Sequence, residues 1–339
     1  MILPTQIKEI KKHLEESENP LFLFDDDHDG LASFLILWKH IKRGHGVVIK
    51  GPPQVDISYL HKIQEYKADK VFILDKPVLP QEFIDKAKVP IIYIDHHQIN
   101  KLQGVHYYNP HFHDKDDNSP VAYWAYKVAE NDMWISIVGS VGDYYIPSYM
   151  DEFQKQYPDL LPKEINTEEI MHNSELGKLV RIFNFVLKGT TSDTNKCIKV
   201  LTRIESPYEI LKQETPRGKF IYRHFEKTNK KYKRILDDAL KTKAEGKVLV
   251  YTYTSKDSFT GPISNYLRYK HPNKVVIIAR VKEDRIIMSF RSNTIELPKK
   301  IKRALDGIDG YGGGHAFAAA ASIPKDDFKR FIAQFKVQV

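Results

Sequence analysis

Phe22-Leu23-Phe24-Asp25-Asp26-Asp27-His28-Asp29-Gly30 decides how this chain folds. Three apolar residues, which read as a buried strand, run into four carboxylates, an imidazole and a glycine. A stable core has no use for such a run, because negative charges packed this densely repel unless cations or hydrogen-bond donors offset them. Carboxylates and a histidine at the end of a strand suit a metal site. Such a site needs further ligands from elsewhere in the chain.

Two more apolar runs end in the same way. Val71-Phe72-Ile73-Leu74 leads into Asp75, and Ile91-Ile92-Tyr93-Ile94 leads into Asp95-His96-His97. A fourth run, Trp134–Val138, is expected to be a strand that passes through Gly139-Ser140-Val141-Gly142 to Asp143. Between them lie helical patterns over residues 5–18, 31–41, 57–66 and 81–87, a short strand Val47–Ile49, and a helix from Ser119-Pro120 to Glu130. Strands alternating with helices predict an α/β fold with a parallel sheet covered on both faces, and ligands of such sheets bind outside the carboxyl ends of the strands. His106, His111 and His113 lie in or beside a polar loop, where no strand end fixes them, and read as surface histidines.

Strand signals vanish from residue 147 to residue 245. Leu176, Leu179, Val180, Phe183 and Leu187 mark one face of a helix capped by Asn173 or Ser174. Tyr232, Ile235, Leu236, Ala239 and Leu240 mark another, whose Lys230, Lys231, Lys233 and Arg234 read either as a surface that faces nucleic acid or, by default, as the solvated face of a connecting helix. Mixed α/β patterning then returns. Strands are expected over 247–253, 275–280 and 285–290, the last two joined as a hairpin, with helices over 263–269 and 325–338 and the run Gly310-Tyr311-Gly312-Gly313-Gly314-His315 between. The expected division is an N-terminal α/β domain over residues 1–146, a helical connector over 147–245 and a smaller mixed α/β domain over 246–339.

Composition narrows the chemistry. The 339 residues carry a formal charge of +8, which is compatible with a polyanionic partner. The one cysteine, Cys197, rules out an internal disulfide and a cysteine-based zinc site. Any metal must therefore be held by Asp, Glu and His. No apolar run is long enough for a membrane span and the N-terminus lacks the layout of a secretory signal, so a cytoplasmic protein without a membrane partner is expected.

Asp25-x-Asp27-x-Asp29-Gly30, Asp75, Asp95-His96-His97 and Gly142-Asp143, in that order, resemble the four motifs of the DHH phosphoesterases. Gly312-Gly313-Gly314-His315, with Ser289-Phe290-Arg291-Ser292 before it, resembles the DHHA1 domain that follows in one branch. The compact layout is similar to archaeal RecJ-like nucleases. The resemblance implies a two-metal site, usually manganese with magnesium as the alternative. Asp27 and Asp29 would hold one ion each, Asp75 would bridge the pair, and His96 and Asp143 would complete the second. Asp25 would replace a histidine ligand that other branches carry two residues earlier, where this chain has Leu23. His97 would sit beside the substrate phosphate and share the catalytic role with Asp75. Asp95 would orient its neighbours, while Asp26 and His28 fall outside the pattern and read as exposed residues or as fillers behind the ligands.

Arg291, Gly312, Gly313, Gly314 and His315 would bind substrate, the glycine amides as an anion nest and the arginine as a bidentate phosphate donor. The family's motif closes on Ala-Ala-Gly, whereas this chain has Ala320 in the final position. The activity implied is an exonuclease or oligonucleotidase that releases nucleoside 5'-monophosphates from single-stranded DNA or RNA by two-metal hydrolysis, with a helicase or a replication or repair protein as a candidate partner on the helical middle. Two alternatives stay open: a phosphatase or phosphodiesterase for adenosine bisphosphate or dinucleotides, and an inactive scaffold in replication or repair.

Overall fold

The computed structural model describes residues 1–51 and 54–339. The chain divides into two compact units, Met1–Glu226 and Lys227–Val339.

The first unit is built on five parallel strands, β1 (Pro20–Asp25), β2 (His45–Ile49), β3 (Lys70–Leu74), β4 (Ile91–Ile94) and β5 (His106–Tyr108), in the order β2-β1-β3-β4-β5. Helices α1 (Pro4–Glu16), α2 (His28–Ile41), α3 (Leu60–Tyr66), α4 (Gln81–Ala87) and α5 (Val121–Ala129) complete its α/β part. Alternate side chains of a strand point to opposite faces, and both faces here are apolar. Leu21, Leu23, Val71, Ile73 and Tyr93 pack with Ile63 of α3 and Phe83 of α4. On the other face the Phe34 ring of α2 stacks on Phe24 and meets Phe22 edge-on. Each such buried aromatic contributes about 2 kcal/mol through removal from water. Strand order reverses direction between β1 and β3, which is where doubly wound sheets of this order open a crevice for ligands. Asp25 and Asp75 stand at those two strand ends.

The fourth apolar run is not a strand. Trp134–Val138 lies in α6 (Met133–Gly142), every residue of which from Trp134 to Gly142 is buried. A short continuous apolar run fits a core strand and a helix surrounded by protein equally well. Here the helix wins because α2, α5 and the later helix α9 (Glu175–Val186) enclose it. Asp143 is thus delivered by a helix C-terminus and not by a strand end. His106 lies on β5, the sheet edge, and its exposed ring meets His13.

Five helices follow: α7 (Met150–Gln156), α8 (Thr167–Asn173), α9 (Glu175–Val186), α10 (Thr191–Leu201) and α11 (Pro207–Leu211). They belong to the first unit. Ser174 caps α9 by accepting the Gly177 N–H at 3.0 Å. The 24-residue α12 (Pro216–Ala239) runs from the first unit into the second.

The second unit holds a mixed sheet of β6 (Val248–Thr254), β7 (Val275–Lys282), β8 (Arg285–Arg291), β9 (Tyr311–His315) and β10 (Ala318–Pro324), ordered β6-β7-β8-β10-β9. Helices α14 (Pro298–Ala304) and α15 (Phe328–Lys336) cover one face, where Ile301, Phe331 and Phe335 meet Met288, Phe290 and Ala319. Helix α13 (Thr260–Lys270) packs on β7 and β8. The glycine run differs from the expected nest. Tyr311–His315 is an exposed edge strand paired antiparallel with β10. The backbone groups of the run that face β10 pair with it, those on the open edge do not, and Gly314 takes a φ of 139° that favours glycine. No helix among the described residues is long and apolar enough to cross a membrane.

Candidate metal centre

Each acidic side chain at the crevice is placed by a backbone device. Asp27 is the N-cap of α2, and its Oδ1 accepts the N–H groups of Asp29 and Gly30, both at 3.0 Å. Capping occupies one carboxylate oxygen and leaves the other for a ligand. Gly30 is required because the first turn of α2 lies against the end of β1, where a Cβ would sit 2.7 Å from the Asp25 backbone N and O. Asp29, fully buried, accepts the N–H of Val121 at 2.8 Å and of Ala122 at 2.7 Å, so it also caps the start of α5. Asp75 adopts a left-handed backbone with φ 58°, a conformation that costs most residues energy and that recurs at functional sites.

These residues converge with two imidazoles. Ligand atoms of Asp25, Asp27 and Asp75, of Asp75, His96 and His97, and of Asp29, His96 and Asp143 each lie within 4.8 Å of one another. Asp75 and His96 are each shared between two groups. His96 Nε2 is 3.2 Å from Asp75 Oδ1 and 3.5 Å from Asp143 Oδ2. His97 Nδ1 is 2.8 Å from Asp95 Oδ1, and the His97 N–H donates to Asp95 Oδ2 at 3.1 Å. Asp95 is itself fully buried and accepts from the Asn109 amide, so it fixes the His97 ring, as an orienting role requires.

Charge crowding shifts the titrations. Burial and the repulsion of Asp27 lift Asp25 to about 7 against the pull of Lys76. Burial, with the charges of Asp143 and Asp27, holds Asp29 well above the usual carboxylate range, and burial with Asp29, Asp27 and Asp143 does the same to Asp75. Burial lowers His96. Burial opposes charge on His97 too, but the Asp95 hydrogen bond together with the charges of Asp95, Asp143 and Asp27 outweighs it and raises that imidazole. The group as it stands is short of positive charge. Asp75 Oδ1 is buried without a hydrogen-bond donor. Divalent cations with oxygen and imidazole preferences fit that deficit.

Two participants are invisible in the pattern of acids. His28 is a neighbour of the site and not an outlying residue. Its Nε2 is 3.0 Å from Asp143 Oδ1, which leaves Asp143 Oδ2 facing His96. Burial opposes its charge, yet the bond to Asp143 and the fields of Asp27, Asp143 and Asp29 raise it to about 9. The same pairing, with the charges of His96 and His97, overcomes burial to hold Asp143 below the usual carboxylate range. The ring lies on Gly142, where a Cβ would come within 1.7 Å of His28 Cδ2. Lys76, 1% exposed as a side chain, places Nζ 2.7 Å from Asp25 Oδ1. A lysine directly after a strand-ending aspartate was the available signal for it. His28 gave none, since only the fold brings residues 28 and 143 together. Asp26 is in none of the three groups.

In the second unit, Arg291, Ala318 and His315 are directly paired across β8, β10 and β9, so their side chains share the sheet face opposite the α14–α15 core. Gly313, Ala320 and Ser289 form the next rung on that face. Gly312 and Gly314 pair with Ala321 and Ala319 of the core face. Arg291 Nε donates to Asn265 Oδ1 at 2.6 Å and Nη1 to Ser289 Oγ at 3.1 Å. The substrate-binding set expected from the sequence is thus split between the two faces.

Residues 247–339 match the DHHA1 domain family. The second unit carries a DHHA1 domain. The whole chain superposes on RecJ from Thermus thermophilus in complex with Mn2+, with a TM-score of 0.70 at 13% identity, covering all of this chain and 55% of that one. This chain therefore spans about half the length of that relative. An exonuclease RecJ bound to manganese matches with a TM-score of 0.65 at 13% identity, over all of this chain and 95% of the other. CDC45 from Entamoeba histolytica matches at 0.54 and 10% identity, over 99% of each. No curated protein matches the chain in sequence. The chain thus has a RecJ-like fold, with a parallel-sheet part ahead of the segment that matches DHHA1.

Proposed function

We propose that the protein is a manganese-dependent phosphodiesterase that degrades single-stranded DNA or RNA, or short oligonucleotides, to nucleoside 5'-monophosphates in the cytoplasm. One observation carries the reading: six side chains from four separate segments, Asp27, Asp29, Asp75, His96, His97 and Asp143, meet at the switch point of the sheet with a buried acceptor left over.

Asp27 and Asp29 would each hold one ion, Asp75 would serve both, and His96 with Asp143 would complete the second. The membership of Asp75 in two of the ligand groups supports that sharing. Asp25 joins Asp27 and Asp75 in one group through the carboxylate that Lys76 holds in place. When bound, a metal pair supplies positive charge for the phosphoryl oxygens and acidifies water at neutral pH. The chain supplies orientation. Asp95 fixes His97 so that its Nε2 is presented to a phosphate, and His28 turns Asp143 toward His96. Buried, neutral His96 keeps a lone pair for a ligand.

For the DHHA1 domain we propose that Arg291 and His315 grip the nucleotide end of the substrate on their shared face. Ala318, Gly313 and Ala320 present almost no side chain between them, which leaves a flat floor for a base or a phosphate. Ala320 narrows that floor by one methyl relative to a glycine. Gly312 and Gly314, turned to the core face, would contribute backbone alone.

The test is incubation of end-labelled single-stranded DNA and RNA ladders with Mn2+, beside the Asp75→Ala variant. Mononucleotide release by the native chain and none by the variant, with its fold intact by circular dichroism, supports the reading. Turnover retained in Asp75→Ala with unchanged metal content would refute the site. Cleavage confined to adenosine bisphosphate or dinucleotides would refute the oligonucleotide substrate. Binding of every length with cleavage of none would leave the scaffold.

A further inference from the structure

The helix α12 carries an exposed face of one charge. Lys219, Arg223, Lys227, Lys230 and Arg234 are all exposed. At 3.6 residues per turn they fall within an arc of about 80°, and at 1.5 Å per residue they extend over about 22 Å. Ile221, Phe225, Thr228, Tyr232 and Ala239 are buried on the opposite side, so packing fixes which face looks outward. Glu226 is half-buried at the edge of the arc, and Asp237 follows the last cation.

Four other helices interleave their charges, whereas the short α14 is all cationic. Lys12 pairs with Glu16 in α1, Lys62 with Glu65 in α3, Lys86 with Glu82 in α4 and Lys178 with Glu175 in α9. On α12 Lys219 and Arg223, Arg223 and Lys227, and Lys230 and Arg234 are each four apart and repel one another, and although Glu226, Asp237 and Asp238 lie three or four residues from Arg223, Lys230 or Arg234, none of these cations pairs with them. The neighbouring Lys231 is neutralised by Asp257 at 2.9 Å. None of the five side chains makes an ion pair or hydrogen bond among the described residues. A face that only had to stay wet would be better served by alternating signs.

We propose that this face of α12 is a track for the phosphates of a single-stranded nucleic acid. The inference rests on the nucleic-acid substrate proposed above and adds a surface that binds its phosphates. Evenly placed cations on long, flexible stems read charge and no sequence, so the track is indifferent to base identity.

The experiment measures binding of a fluorescein-labelled oligothymidylate 20-mer to the full chain by anisotropy, in EDTA so that nothing is hydrolysed, from 50 to 300 mM KCl. The variant K219Q/R223Q/K227Q/K230Q/R234Q is expected to bind at least about tenfold more weakly at low salt, with the slope of log affinity against log salt shallower by about 3.5, or 0.7 for each cation. K8Q/K11Q/K12Q on α1 should leave both unchanged, and the melting temperature of each variant reports its fold. Turnover of a dinucleotide with Mn2+, too short to reach along the helix, should persist in the fivefold variant. Native-like affinity and slope in that variant would overturn the track while leaving the phosphodiesterase reading intact. Equal losses in the α1 control would reduce the effect to net charge and overturn it as well. If the native chain turns over no phosphodiester and binds no strand, both readings fall.

Discussion

Lys76 Nζ stands 2.7 Å from Asp25 Oδ1, a buried ammonium set into the acidic crevice beside the carboxylates that would take metal. Removing one member of a buried pair costs about 3 kcal/mol or more when the other stays charged. Asp25, already lifted to about 7, can take up a proton instead. The expected loss for Lys76→Met in metal-free protein at pH 7.5 is therefore smaller, about 1–2 kcal/mol, much of it one charged hydrogen bond. Urea unfolding measures it. The double variant Asp25→Asn/Lys76→Met should lose less than the sum of the single losses, and strict additivity would show that the two groups are not coupled.

The raised carboxyls give the metal-free protein an unusual pH dependence. In the folded chain Asp25 holds its proton until about pH 7, whereas an unfolded aspartate releases it near 3.8. Between those values the folded state binds more protons, so stability falls as pH rises from about 4 to about 7. Asp29 and Asp75 shift in the same direction and add to the fall. Adding Mn2+ should reverse the trend, because ligand carboxylates bind it deprotonated. Melting temperatures with EDTA and with Mn2+ across this range check both halves. A metal-free melting temperature that climbs throughout the range would contradict the crowding.

His28 acts through Asp143, so its loss should be read in metal affinity. Removing a residue that orients a ligand typically costs about 10–100-fold in affinity. His28→Ala is expected to weaken Mn2+ binding by that amount in titration calorimetry, with the fold preserved. His28→Gln keeps a donor and should recover part of the loss. Native affinity in both variants would make the 3.0 Å contact incidental.

Asp29→Ala should destabilise the chain even in EDTA. The substitution strips two N–H groups at the start of α5 of their acceptor, a capping loss of about 1–2 kcal/mol. His96→Ala, tested beside it, removes a ligand that caps nothing and should leave metal-free stability close to native or higher. Chemical unfolding separates the two, and equal losses would mean that Asp29 contributes to the fold only as a ligand.

What the sequence disclosed, and what it hid, follows from whether a signal is local. Strand ends at Asp25, Asp75 and Asp95 are legible because period, run length and the sudden polarity lie within a few residues. Trp134–Val138 misleads for the same reason: a fully apolar stretch carries no period, and only its enclosure by other helices makes it helical. The glycine run is readable as special but not as a strand, since its conformation is set by pairing with β10. The alternating face of that strand, which separates His315 and Gly313 from Gly312 and Gly314, needs the register. The contact of His28 with Asp143 spans 115 residues and has no sequence trace at all.

The double engagement of Asp29 bears on how silent members of such a fold can be told from working ones. A descendant freed from selection for hydrolysis could shed His96 or Asp143 and keep its architecture. It could not easily shed Asp29, because the opening turn of α5 hangs on that carboxylate. An aspartate surviving at this position is therefore poor testimony to chemistry, and the histidine opposite it is the better witness.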